Sequence, residues 1–228
     1  VQNEQTKEEQ YKLLFDVKRE YGNAELGLMT NVSWQTDPRR FLFTLSRYKF
    51  VSKMFEGMEK VLEIGCADAF ATRLIQQTVD QVVATDFDPI FVADVENRMN
   101  PKWPMKVFEH DILEGPVKDS FDGIYCLDVL EHISVSNEDT FMLNSLKSLK
   151  NYGVMIVGMP SLESQVYASP ASKIGHVNCK SGSELKALLN KYFNNVFLFS
   201  MNDEVVHTGF HPMAHYLLAL CCGKRNSD

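Results

Sequence analysis

The chain is short of everything that would tie it to a membrane, a nucleic-acid backbone or an oxidising compartment. No apolar run reaches the ~20 residues that a membrane-spanning helix needs. No leader-like segment precedes the first regular element, so membrane insertion is not expected. Positive charge is scarce: 23 Lys and Arg stand against 30 Asp and Glu over 228 residues, a net charge of −7. That argues against a generic grip on phosphate backbones, and nucleic acid is not an expected partner. The five cysteines, Cys66, Cys126, Cys179, Cys221 and Cys222, form no C-x-x-C pair. They read as reduced thiols of a cytoplasmic protein rather than as a disulfide framework. Internal repeats and low-complexity tracts are also lacking.

A further absence is local. Dinucleotide sites use G-x-G-x-x-G, so that a pyrophosphate can rest on a helix N-terminus. In the run Val61–Ala69 and its continuation the three glycine positions are Gly65, Ala67 and Phe70. A phenylalanine at the third position obstructs close helix–strand packing. Asp68 puts a carboxylate where the pyrophosphate would lie, and like charges repel. Yet Asp86 closes a second apolar run, placed to accept both hydroxyls of a ribose. The expected ligand therefore carries a ribose, lacks phosphate and tolerates neighbouring acids. S-adenosylmethionine meets those terms.

What is present is an alternation of strands and helices. Apolar runs predict seven strands at Val61–Ile64, Gln81–Thr85, Met105–Glu109, Gly123–Leu127, Gly153–Gly158, Val196–Phe199 and His215–Cys221. Helical spacing falls near Ala69–Gln77, Ile90–Asn97, Asp139–Leu149 and Ser183–Phe193, the last opened by a capping box of Ser181 and Glu184. Ahead of these, Thr6–Tyr21 reads as an amphipathic or exposed charged helix and Asn23–Thr36 as a loop. Asp37 and Pro38 open a helix whose Phe41, Leu45, Tyr48, Val51 and Phe55 should face a sheet. Near-continuous apolar strands imply a mostly parallel sheet covered by helices on both faces.

In order and spacing, Glu63-Ile64-Gly65-Cys66-Ala67, Asp86, His110-Asp111-Ile112 and Phe121–His132 resemble the successive motifs of class I S-adenosylmethionine-dependent methyltransferases. The resemblance runs from about Lys60 to the C-terminus. It implies an α/β, Rossmann-like seven-stranded sheet with a terminal antiparallel strand, with residues 57–228 as the cofactor domain and residues 1–56 as a helical extension or lid. It implies that Asp86 bonds the ribose and that Asp111 accepts from the adenine amino group. Phe87 and Ile112 would sandwich the ring, and Glu63, Gly65, Cys66, Ala67 and Leu127 would line the cleft. Arg47 is a candidate for the methionine carboxylate.

Asp128-Val129-Leu130-Glu131-His132 resembles the acid-x-x-Glu-His segment of ubiquinone-biosynthesis O-methyltransferases and small-RNA 2′-O-methyltransferases. Two carboxylates and an imidazole suit Mg²⁺, Mn²⁺ or Zn²⁺, and His176 is the expected downstream partner. The expected metal set is Asp128, Glu131, His132 and His176; without metal, Glu131, His132 and His176 become the catalytic groups. His207 and His211 are candidates for the acceptor wall, and Met29 and Trp34 for a lid.

The expected reaction is methyl transfer to a hydroxyl or amine of a small molecule. The segment Asp37–Phe50 resembles that of methyltransferases in glycan assembly, which adds sugars and natural-product precursors as acceptors. The alternatives are a non-catalytic cofactor-binding or interaction module and a metal-dependent RNA 2′-O-methyltransferase.

Overall fold

The computed structural model describes residues 6–225. Residues 1–5 of the expected extension and 226–228 of the expected cofactor domain lie outside it. Eight strands form one sheet: β1 (Lys60–Ile64), β2 (Gln81–Asp86), β3 (Lys106–Glu109), β4 (Phe121–Leu127), β5 (Leu149–Pro160), β6 (Phe193–Asn202), β7 (Val205–His207) and β8 (Tyr216–Lys224). Their order is β3-β2-β1-β4-β5-β8-β6-β7. The first five are parallel, and β8 runs antiparallel between β5 and β6. All seven expected strands are there. The eighth, β7, is a three-residue edge strand in a hairpin with β6, too short to leave a period-two signal.

Both faces of the sheet are buried, which is why its strands read as unbroken apolar runs. Along β1, Leu62 and Ile64 enter a core shared with Phe141 and Leu185 of α5 (Glu138–Ser148) and α7 (Gly182–Leu189). Val61 faces the other way, into a core with Tyr48, Val51 and Phe55. Tyr48 and Val51 belong to α3 (Pro38–Met54) and Phe55 follows its last turn, so this helix is part of the same packed body as the sheet. A boundary at residue 56 cuts through that core. Ahead of it, α1 (Lys12–Tyr21) and α2 (Leu28–Thr36) contribute no buried residue. Asp37 does not cap α3 with its side chain; its carboxylate pairs with Arg39 instead.

Two local expectations need correction. Residues 28–36 are helical, not loop. The helix starts at Gly27, which has no capping side chain, and its first amides are satisfied from a distance: Leu28 N donates to Asp94 and Thr30 N to Asp68. The segment after β1 is a 3₁₀ helix, Ala71–Gln77, rather than an α-helix. Asp88 caps α4 (Pro89–Arg98) by accepting from Ile90 N at 3.0 Å, and the Ser181–Glu184 capping box opens α7 as expected. Among the described residues no helix is long and apolar enough to cross a membrane.

Candidate active site

The turn after β1 is built for close approach. Gly65 has φ +74°, and a Cβ there would lie 2.4 Å from Val129 Cγ2, so a side chain is excluded both by conformation and by space. Gly65 N and Cys66 N both donate to Thr85 O, folding the turn onto the tip of β2. Ala67 and Ala69 also adopt left-handed backbone, at φ 45° and 48°, where glycine would be free of strain.

Asp86 braces this turn. Its Oδ2 accepts from Ala67 N at 2.8 Å and its Oδ1 from Asp88 N at 3.0 Å. A carboxylate has about four lone-pair sites, so two remain for a ligand. Phe87 follows, 70% exposed, an apolar ring in solvent at the strand tip. Ile112 is buried in the main core, so its side chain cannot form the other half of a sandwich. Cys66 and Leu127 are likewise core residues by side chain, and can meet a ligand only through their backbone. Asp111 uses Oδ1 to accept from Leu113 N at 2.8 Å, a turn contact.

Glu63 is not at the cleft. Its carboxylate is sealed among three hydroxyls: Oε1 accepts from Tyr48 at 2.6 Å, Oε2 from Thr72 at 2.6 Å and from Tyr125 at 2.8 Å. Burial pushes its pKa up to about 7, against the pull of these hydrogen bonds. This expected ligand residue is a buried tie between α3, the 3₁₀ helix and β4.

The tip of β4 carries the densest chemistry. Asp128 adopts φ 58°, which turns its side chain to α3. There Arg47 Nη1 donates to both its oxygens, at 3.0 and 2.7 Å, and the guanidinium stacks 3.7 Å over the Tyr216 ring. Two expectations fail together: Asp128 leaves the metal set, and Arg47 is committed to Asp128 rather than free for a methionine carboxylate.

The remaining three of the expected metal set converge. Ligand atoms of Glu131, His132 and His176 lie within 4.8 Å of one another. His132 Nδ1 bonds Gly175 O at 2.9 Å, and His176 Nδ1 bonds Gln165 Oε1 at 2.8 Å. Oxygens of this kind only accept, so each Nδ1 carries a proton, and in a neutral ring this leaves Nε2 as the ligand atom. Val177 N and Asn178 N donate to Glu131 O, clamping the two segments together. Glu131 is fully buried, and neither carboxylate oxygen has a partner. Burial, with the nearby charge of Asp128, drives its pKa well above the carboxylate range. An anion stays there only if a cation joins it, so the site fits a divalent ion. Burial and His132 together lower the pKa of His176.

The other histidines are spoken for or apart. His207 uses both nitrogens in its own hairpin, with Asn202 Oδ1 and Gly209 N. His211 packs against Gly182 at the start of α7. His215 lies edge-on to Phe43. Sequence reasoning missed Tyr216, Gln165 and Asn178. They carry no motif and are identified only by where β8 and the post-β5 segment return.

Residues 62–157 match a methyltransferase domain family. A probable S-adenosylmethionine-dependent methyltransferase of Mycobacterium tuberculosis is 30% identical over 102 residues, 44% of this chain and 35% of that protein. The chain thus spans about a third of that relative's length. A ubiquinone biosynthesis O-methyltransferase of Rickettsia bellii is 25% identical over 150 residues, 64% of this chain and 58% of that protein. Among solved structures, the N-methyltransferase NodS of Bradyrhizobium japonicum, in complex with S-adenosylhomocysteine, superposes with a TM-score of 0.60 at 20% identity. That match covers 92% of this chain and 97% of NodS, a likeness of fold.

Proposed function

We propose that this chain, whose residues 62–157 match a methyltransferase domain family, acts as a class I S-adenosylmethionine-dependent methyltransferase and transfers methyl to a hydroxyl oxygen of a small molecule. When bound, the cofactor supplies a methyl on a sulfonium, already activated for displacement. The chain's part is to bind and align. The Gly65–Ala67 turn gives close backbone approach, the free lone pairs of Asp86 take the ribose hydroxyls, and Phe87 offers its face to the adenine. The five free thiols fit a reducing compartment such as the cytoplasm.

The observation that carries the acceptor side is the trio Glu131, His132 and His176 beside Val129, which itself packs on the glycine turn. One carboxylate and two imidazoles would hold a divalent cation, and the imidazoles favour Mn²⁺ or Zn²⁺ over Mg²⁺. When bound, such an ion stabilises charge on an acceptor oxygen as it loses its proton. This favours oxygen over nitrogen as acceptor, in keeping with the O-methyltransferase of Rickettsia bellii among its relatives. The net charge of −7 gives an RNA acceptor little general attraction, and a sugar acceptor rests on the Asp37–Phe50 segment alone.

The test is S-adenosylhomocysteine release with phenolic, sugar and amine acceptors, with and without chelator. Turnover on a hydroxyl acceptor should vanish with chelator and return with Mn²⁺. Turnover indifferent to chelator, or confined to amines, would overturn the reading.

A further inference from the structure

His176 is held by a side chain that no motif marks. Beyond β5 the chain passes through Ser161, which is fully buried and fixed to the residues leading into β8. Its amide donates to His215 O at 3.1 Å and its hydroxyl to Ala214 O at 2.6 Å. A 3₁₀ turn follows, Glu163–Tyr167, whose Val166 and Tyr167 are exposed. Gln165 in the same turn is half-buried. Its Nε2 lies 3.1 Å from Ser161 O, and its Oε1 lies 2.8 Å from His176 Nδ1.

These contacts can be ordered in one way only. Ser161 O is a carbonyl and accepts, so the NH₂ of Gln165 faces it and Oε1 is left for the imidazole. Oε1 also only accepts, so His176 Nδ1 donates to it. In a neutral ring Nε2 then keeps the lone pair. His132 is set in the same way by a backbone carbonyl, Gly175 O. We propose that Gln165 is a positioning residue for His176: anchored on Ser161, it fixes the ring in the Nδ1–H tautomer and presents Nε2 to the cation site shared with Glu131 and His132. This rests on the metal reading of that trio. Partners that donate to or accept from a metal-ligating histidine typically carry 10–100-fold in metal affinity. Gln165 contributes that much here through His176.

The experiment compares the full wild-type chain with Gln165→Met, which keeps the length of the side chain and loses both ends of the amide. One readout is the tautomer of His132 and of His176, from NMR of the ring nitrogens in metal-free protein at mildly alkaline pH. The other is Mn²⁺ affinity by calorimetry. Both wild-type rings should be Nδ1–H tautomers. In Gln165→Met, His176 should lose that preference, His132 should keep it, and Mn²⁺ affinity should fall roughly 10–100-fold. A general loosening of the fold would move both rings together. An Nε2–H tautomer at His176 in the wild type overturns the proposal. So does a Gln165→Met chain in which the His176 tautomer or the Mn²⁺ affinity is unchanged, or in which both rings change. No Mn²⁺ binding by the wild type overturns the metal reading, and the tautomers alone then decide whether Gln165 sets the His176 ring. If Gln165→Met does not fold, Gln165→Asn decides by the same readouts, since its amide is one methylene too short to reach both Ser161 O and His176 Nδ1.

Discussion

Asp68, in the cofactor turn, accepts hydrogen bonds from both the amide and the hydroxyl of Thr30, at 2.6 and 3.0 Å, across thirty-eight residues of chain. The carboxylate acts as the N-terminal cap of α2, supplied by another part of the protein. Asp94 serves Leu28 N in the same way, and Arg98 spans the two by bonding Asp94 and Asp68 O. Gly27 makes the approach feasible, since a Cβ there would lie 2.3 Å from Asp68 Cβ. The acid that argues against a bound pyrophosphate is thus what fastens the outer helix to the turn.

Asp68→Ala should therefore release α2. Losing a cap typically costs about 0.5–2 kcal/mol, and here the loss falls on a helix with few other anchors. Hydrogen exchange should show amides 28–36 opening while those of β1 and β4 stay protected. Unchanged exchange over 28–36 would mean that packing, not the latch, holds the helix.

This latch also marks where the sequence stops being legible. The strand–helix alternation is written locally, in apolar runs and in caps such as Asp88 and Ser181. The α2 helix is not, because Gly27 offers no cap and its partners are Asp68 and Asp94. Nor is β7, whose three residues pair at an edge after a tight turn. Long-range pairing decided both.

Ala67 and Ala69 allow a test of strain in the cofactor turn. Left-handed backbone costs a non-glycine residue about 1–2 kcal/mol. Glycine gives back about 0.4–1 kcal/mol through the freedom of the unfolded chain. Ala67→Gly should thus stabilise by up to about 1 kcal/mol, read as a shift in the denaturant midpoint. Ala69→Gly should gain less, since its methyl is buried beside Val92 and its loss costs up to about 0.8 kcal/mol. Destabilisation by Ala67→Gly would contradict the strain at φ 45°.

Glu63 predicts a pH dependence of stability. The folded chain keeps its proton up to about pH 7, and the unfolded chain releases it near the ordinary value of 4.5. Between those values the folded state binds more protons than the unfolded state. Stability is fully present below pH 4.5 and is lost as pH rises through 7, by on the order of 3 kcal/mol. Glu63→Gln should flatten that slope in denaturant titrations from pH 5 to 8. A slope that survives in the variant would assign it to other groups.

The clustering of the candidate site was legible in part for the same physical reason. Glu131, His132 and His176 lie at the ends of short segments joined by backbone hydrogen bonds, and the Leu-Glu-His and Gly-His patterns point to them. Asp128 and Arg47 were misassigned because one left-handed residue redirects a side chain, and no spacing rule reports φ. Glu63 was misassigned because Tyr48, Thr72 and Tyr125, which enclose it, come from three elements.

Asp86 separates a ligand role from a structural one. A charged acceptor for ribose hydroxyls contributes roughly 1.5–3 kcal/mol, so Asp86→Ala should weaken S-adenosylhomocysteine binding about 10–100-fold by calorimetry. The bonds to Ala67 N and Asp88 N add a second expectation. Both amides lose their acceptor in the variant, so the ligand-free protein should melt lower as well. Asp86→Asn sharpens the case. Its amide oxygen can serve one backbone N–H, but its NH₂ then faces the other, donor against donor. Asn should therefore stabilise the ligand-free chain no better than Ala, although it is closer in shape. If Asp86→Asn restores both melting temperature and affinity, the bracing geometry is wrong. If Asp86→Ala lowers the melting temperature and leaves affinity intact, Asp86 only holds the turn, and the ribose must be bound elsewhere along the tip of β2.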